Sequence, residues 1–310
     1  MSASQTASVA ASATELELVR VIDAPRRLVY AAWTDPEHVA KWFVLDGMST
    51  QHVAIDVRPG GAWLIHLRMP DGTPVVVSRI FHEIVPLTRI VFYEKCMAGD
   101  RVALDGVHTV SFEELGGKTK LTVRCELATP FDRDNQMGWS GGWSQIFDHL
   151  DVHVAPIHAE LSQREIATTR LLPAPRERVF AVWTDPAHMA QWWGPDGFSV
   201  TTTKMEVRTG GEWIYTMHGP DGTDYPNRIA YELVVPPERL EYTLRGGKAG
   251  DEPSQHRTTV IFTEENGQTR LDMQMLFASP AARDAVAKKY GAVQGLQQTL
   301  GRLDTYLAAR

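Results

Sequence analysis

Hydrophobic and polar positions alternate with a period of two along several stretches of the chain and shift to a helical period in others. Glu15 to Ile22 reads as an alternating strand leading into Ala24-Pro25. Leu28, Val29, Ala32 and Trp33 then share one helical stripe. Pro25 suits the first turn of that helix, where a missing N–H costs nothing. Thr34-Asp35-Pro36 predicts a second short helix, with Asp35 as N-cap and Pro36 at its first position, so the two helices form a bent pair. Ile55 and Val57, then Gly60-Gly61, then Trp63, Ile65, Leu67 and Met69 read as a hairpin with one apolar face. In Pro70-Asp71-Gly72 the proline presets φ and the glycine accepts a positive one, which makes a turn. Strands follow over Val75 to Val85, Arg89 to Lys95, Val107 to Glu113 and Thr119 to Leu127. Thr129-Pro130 opens a long helix striped by Trp139, Trp143, Ile146, Leu150 and Val154.

The whole pattern then recurs. APRRLVYAAWTDPEHVAKWF from Ala24 matches APRERVFAVWTDPAHMAQWW from Ala174, 150 positions later. Arg58, Gly60, Gly61 and Trp63 find Arg208, Gly210, Gly211 and Trp213 at the same spacing, and Pro70-Asp71-Gly72-Thr73 finds Pro220-Asp221-Gly222-Thr223. A period of this size is a domain rather than a solenoid repeat. The second copy starts with a strand over Arg164 to Leu172, carries a hairpin turn at Asn266-Gly267, and ends on a helix from Ser279-Pro280 striped by Val286, Tyr290, Val293, Leu296, Leu300, Leu303 and Leu307. The expected organisation is a disordered tail over 1–14, one domain over 15–158 and a second over 159–310. Each domain is α+β, in the order β-αα-ββββββ-α. A twisted antiparallel sheet with one apolar face must cover that face. The last helix is the element long enough to do it, and a sheet curled on one helix leaves an internal space. A short linker near Pro156 to Leu161 predicts an intramolecular domain–domain contact.

Composition narrows the setting. The chain has 310 residues, 43% hydrophobic and 22% charged, which is globular. A net charge of -7 and the lack of any dense Lys/Arg run argue against nucleic acid or an anionic membrane as partner. No run of apolar residues reaches the length of a membrane span, so no membrane insertion is expected. The Ala/Ser-rich start lacks a cationic and an apolar segment, and Cys96 and Cys125 are the only cysteines; both fit a cytoplasmic protein in a reducing compartment.

The words Ala-Pro-x-x-x-V-[FY]-x-A-W-T-D-P-x-H-x-x-x-W, then R-x-G-G-x-W, then a late amphipathic helix resemble the SRPBCC, or START-like helix-grip, superfamily. The branch is that of the heat-shock-protein ATPase activator C-terminal-like domains, also described as polyketide-cyclase-like, here in two tandem copies over Glu15 to Ala155 and Leu161 to Arg310. The resemblance implies a deep, mostly apolar cavity between sheet and long helix. It further implies a hydrophobic or amphipathic small molecule as ligand in one or both domains. No cofactor is expected. An enzyme of the cyclase or hydrolase type acting on such a ligand, and a co-chaperone that stimulates a chaperone ATPase, are the alternatives the family implies. The copies depart from one another: Trp192-Trp193-Gly194-Pro195 has the form the family shows, whereas the first copy reads Trp42-Phe43-Val44-Leu45. Conversely, Gly142-Trp143 on the first final helix corresponds to Gly295-Leu296 on the second. Different pockets are therefore expected.

Strand parity and the helical stripes nominate the cavity lining. In the first copy the candidates are Trp63, Ile65, Leu67, Phe92, Trp139 and Trp143. In the second they are Trp213, Tyr215, Met217, Tyr242, Tyr290 and Val293. These positions read equally as plain core, since in this fold core and lining overlap. Gly138, Gly141 and Gly142 in one helix make room for a ligand or mark a kink. His38 and His188, near the start of the second helix, are either polar groups at a cavity mouth or partners of loop groups. His149, His153 and His158 with Asp148 and Asp151 have an approximate metal-ligand spacing, but a solvated helix end explains them and no metal site is expected. Arg58, Arg89 and their counterparts Arg208 and Arg239 pair with acidic neighbours on the strand exterior. No G-x-S-x-G, H-E-x-x-H or paired C-x-x-C occurs, so no catalytic residue is nominated.

Overall fold

The computed structural model describes residues 9–11, 14–131, 133–251 and 253–309. The chain divides into two compact units between Ala159 and Glu160. The first contains β1 (Val9–Ala11), β2 (Glu15–Ile22), α1 (Arg26–Thr34), α2 (Pro36–Trp42), β3 (Ser49–Ile55), β4 (Ala62–Arg68), β5 (Pro74–Val85), β6 (Arg89–Ala98), β7 (Arg101–Leu115), β8 (Lys118–Leu127) and most of α3 (Arg133–Arg164). The second contains β9 (Glu165–Leu172), α4 (Arg176–Thr184), α5 (Pro186–Trp192), β10 (Ser199–Met205), β11 (Glu212–His218), β12 (Asp224–Val235), β13 (Arg239–Gly246), β14 (Ser254–Glu265), β15 (Gln268–Phe277), α6 (Pro280–Tyr290) and α7 (Ala292–Ala308). The α+β class and the repeated order are as the sequence predicts. Of the expected tail, residues 1–8, 12 and 13 lie outside the described residues, while Val9–Ala11 pairs antiparallel with β2 as an added edge strand. Residues 156–161, read from sequence as a linker, are helical and belong to α3 with Pro156 inside it.

The sheets run β1-β2-β8-β7-β6-β5-β4-β3 and β10-β11-β12-β13-β14-β15-β9, antiparallel throughout. The first strand of each repeat joins its last, so the four strands from β5 to β8, and from β12 to β15, are central. A bulge recurs at the same place in each sheet, between Phe81 and Glu83 and between Tyr231 and Leu233, and bends the strand.

The bent helix pairs are fixed locally. Asp35 accepts from the Glu37 N–H, and Asp185 from those of Ala187 and His188. Trp42 Nε1 donates to the Ala32 carbonyl at 2.8 Å, and Trp192 Nε1 to that of Val182 at 3.3 Å, tying each second helix to the first. These bonds account for the Trp-Thr-Asp-Pro-x-x-x-x-x-Trp words as structure. In each Gly-Gly pair the two glycines serve different ends. Gly60 and Gly210 hold φ of 77° and 76°, whereas a Cβ on Gly61 would stand 2.1 Å from the Asp56 carbonyl oxygen and one on Gly211 2.2 Å from that of Glu206.

Gly210→Ala should therefore lose about 1 kcal/mol of stability through its left-handed backbone alone. Gly211→Ala should lose clearly more, because backbone itself must move. Urea unfolding of the two variants checks the order.

Candidate functional site

The second repeat encloses a cavity of about 330 Å³ between the sheet and its final helices. This lies at the lower end of the range for small-molecule sites, ~300–1,000 Å³. Trp183 and Trp193 close it from the bent helix pair and the loop beyond. Tyr215 and Met217 on β11, Tyr225 and Asn227 on β12, Tyr242 and Leu244 on β13, His256 and Thr258 on β14, and Met273 and Met275 on β15 form the sheet wall. Tyr290, Ala292, Gly295, Leu296, Thr299 and Leu300 form the helical wall. The lining is mostly apolar, and its deep titratable groups are uncharged. Burial raises the phenols of Tyr215 and Tyr242 far above their ordinary value and pushes the His256 imidazole down to about 4. Trp193 Nε1 donates to the Tyr215 hydroxyl at 3.2 Å. At the rim the exposed Lys289 ammonium is paired with Asp251 at 2.8 Å.

The space exists because the final helix differs between repeats. In the first repeat His149 bonds the Val44 carbonyl and His153 bonds His38. In the second, Arg302 bonds the Gly194 carbonyl and Tyr306 bonds His188. The loop and short-helix partners are 150 positions apart, but the final-helix residues are 153 apart (His149 to Arg302, His153 to Tyr306). Three extra residues have entered the second helix, which breaks at Gly291 with φ 59° into α6 and α7. At the shifted spacing Trp139 and Trp143 correspond to Ala292 and Leu296. Two indoles are thus replaced by a methyl and an isobutyl group, and the volume they release lies where the cavity is.

The first repeat uses that volume for packing. Trp143 stacks on Trp33 with ring centres 5.9 Å apart and meets Phe43, Trp139, Phe147 and His108 edge-on or tilted. Beneath it the fully buried Arg79 guanidinium lies 4.0 Å from the Trp63 ring centre, 4.3 Å from Phe43 and 4.7 Å from Phe92. Its Nε donates to Glu94 at 2.7 Å, and His108 stands 3.9 Å from the same carboxylate. Burial opposes the Glu94 charge, but Arg79 and His108 outweigh it and hold the carboxyl below its ordinary range. Burial pushes His108 down to about 4 against the pull of Glu94. The second repeat has Ile229, Leu244 and Thr258 at these three positions.

The pattern of the family described as Activator of Hsp90 ATPase homolog 1-like protein matches residues 23–155 and again 173–308. The chain belongs to this family. Among solved structures it is similar to a protein from Arthrobacter aurescens (24% identity, 49% of this chain and 90% of that one, TM-score 0.46). It is also similar to one from Mycobacterium smegmatis (26%, 48% and 94%, 0.44) and one from Rhodobacter sphaeroides (28%, 47% and 94%, 0.41). No curated protein matches it.

Within this Activator of Hsp90 ATPase homolog 1-like chain, the residues nominated from sequence fall into three groups. Tyr215, Met217, Tyr242 and Tyr290 line the second-repeat cavity. Trp213 is buried behind Tyr215, its ring 3.9 Å away and stacked. Trp63, Ile65, Leu67, Phe92, Trp139 and Trp143 are buried in the first repeat, the aromatic ones packed in the cage just described. Val293 is corrected: it is 52% exposed, because the break at Gly291 resets the helix phase and turns it outward. Arg79, Glu94, His108, Asn227, His256 and Thr258 were not nominated. Their signal was present, since each occupies an inward position of an otherwise apolar strand alternation (Val75, Val77, Arg79, Phe81; Ile90, Phe92, Glu94).

Elsewhere, His38 Nδ1 and His153 Nε2 are 2.8 Å apart, and His149 bonds Val44 and Asp46. No group of three or more His, Cys, Asp or Glu among the described residues is arranged to hold a metal ion. Burial pushes the thiols of Cys96 and Cys125 up to about 12, so neither is a nucleophile at neutral pH. No helix among the described residues is long and apolar enough to cross a membrane.

Glu94→Gln leaves the Arg79 charge buried beside a neutral amide, and should lower the unfolding free energy by about 3–5 kcal/mol. The double variant Arg79→Ile with Glu94→Leu installs the residues of the second repeat and should recover most of that loss in urea titrations. Both buried histidines bind a proton in the unfolded chain at about 6.5 but in the folded chain only near 4. Stability present above pH 6.5 is therefore lost as pH falls toward 4. Urea midpoints should drop between pH 6.5 and 5, less steeply in His256→Gln.

Proposed function

We propose that the second repeat is a binding domain for a small, mostly apolar molecule, and that the first repeat is its filled counterpart. The observation that carries this reading is the exchange of Trp139 and Trp143 for Ala292 and Leu296 at the cavity wall. Apolar burial, worth about 25 cal/mol per Å², would drive uptake, and the few polar wall groups would orient the ligand. The uncharged state of Tyr215, Tyr242 and His256 at neutral pH favours binding over acid–base chemistry, which needs a group titrating near the working pH. The unpaired thiols of Cys96 and Cys125 fit a reducing, cytoplasmic setting.

N-phenyl-1-naphthylamine, a neutral fluorophore that brightens in apolar surroundings, should bind the full chain at one equivalent. Ala292→Trp restores the bulk found in the first repeat, and should weaken that binding at least tenfold while leaving the urea midpoint near that of the parent. A parent chain that does not bind the fluorophore, or a variant that binds it equally well, would remove the basis for this reading.

A further inference from the structure

We infer that the second-repeat cavity selects uncharged molecules that bring a hydroxyl or carbonyl group to the β14 wall at His256 and Thr258. The inference rests on the binding role proposed above and adds the chemistry of the ligand. His256 and Thr258 are two apart on one strand, so both face the cavity. Their neighbours across the sheet leave His256 without a polar partner. It lies between Leu244 and Phe277, and its ring packs on the Phe277 ring at 4.9 Å. Thr258 lies between Tyr242 and Met275. His256 Nδ1 is buried without a hydrogen bond, whereas Thr258 Oγ1 meets the Tyr242 phenol beside it. A buried polar atom left unsatisfied weakens the fold, so a ligand group that reaches His256 recovers what the fold forgoes there. The first repeat has Gly106 and His108 at these positions, so the polar pair belongs to the open cavity alone.

Charge is selected against. Lys289 at the rim is held by Asp251. Arg302, behind Gly194, spends its guanidinium on the carbonyls of Gly194, Pro195, Phe198 and Gln191. A carboxylate entering the cavity would lose its water and gain no free counter-charge.

Naphthalene, 2-naphthol and 2-naphthoate share one ring system and differ only in the group offered. Each would be competed against N-phenyl-1-naphthylamine on the full chain at neutral pH. Naphthol should bind at least tenfold more tightly than naphthalene and than naphthoate. His256→Leu and the isosteric Thr258→Val should each lower the ratio of naphthol to naphthalene affinity. Equal affinity for naphthol and naphthalene, tightest binding of naphthoate, or an advantage that survives both substitutions would overturn the inference while leaving the apolar binding role standing. If the fluorophore itself fails to bind, both fall together.

Discussion

An antiparallel sheet that is apolar on one face has to hide that face, and in each repeat the final helical stretch, helped by the bent helix pair, is what hides it. The mismatch between a broad bent sheet and a narrow helix governs the rest of the structure. The volume left over must be filled by long side chains or left open. The two repeats resolve the same mismatch in opposite ways on the same order of strands.

In the first repeat the filling is aromatic and ionic together. Trp139 and Trp143 descend from the helix, and Arg79 rises from β5 to be held between rings and neutralised by Glu94. An arginine suits such a place because its flat, weakly hydrated cation can stack while its edge bonds a carboxylate. In the second repeat the corresponding strand positions are aliphatic, the helical indoles are absent, and tyrosines take over the aromatic role from the sheet side. Tyr215 replaces Ile65, and Tyr231 and Tyr242 replace Phe81 and Phe92. The hydroxyls of Tyr215 and Tyr242 give the open volume a partly polar boundary that the filled one does not need.

Most of the fold was legible in the chain because its causes are local or periodic. Asp-Pro caps, Gly-Gly turns and two-residue alternation each leave a direct trace, and the duplication prints every trace twice. The site was legible only in part. A strand's faces are settled by counting residues, and Tyr215, Met217 and Tyr242 border the cavity. Counting failed at Val293 because a three-residue insertion shifts phase at a single glycine, and the apolar stripe on either side of Gly291 reads as continuous. The Arg79–Glu94–His108 cluster needs three strands placed side by side before it becomes visible, although each residue alone interrupts an apolar alternation. Whether an inward aromatic is core or lining depends on what faces it, and that information lies far away in the chain.

The break at Gly291 separates two properties that a continuous helix would bind together. Residues of α7 such as Leu300, Leu303 and Leu307 are sealed into the core and anchor the helix. Ala292, just beyond the joint, borders the cavity and bears little of that load. Depth and shape of the chamber can thus be retuned at the joint by changes in turn length or side-chain size, while the anchoring half keeps the domain folded. The helix behaves as a fixed post carrying an adjustable stopper, and the size of the chamber lies within reach of substitutions that never touch the sheet.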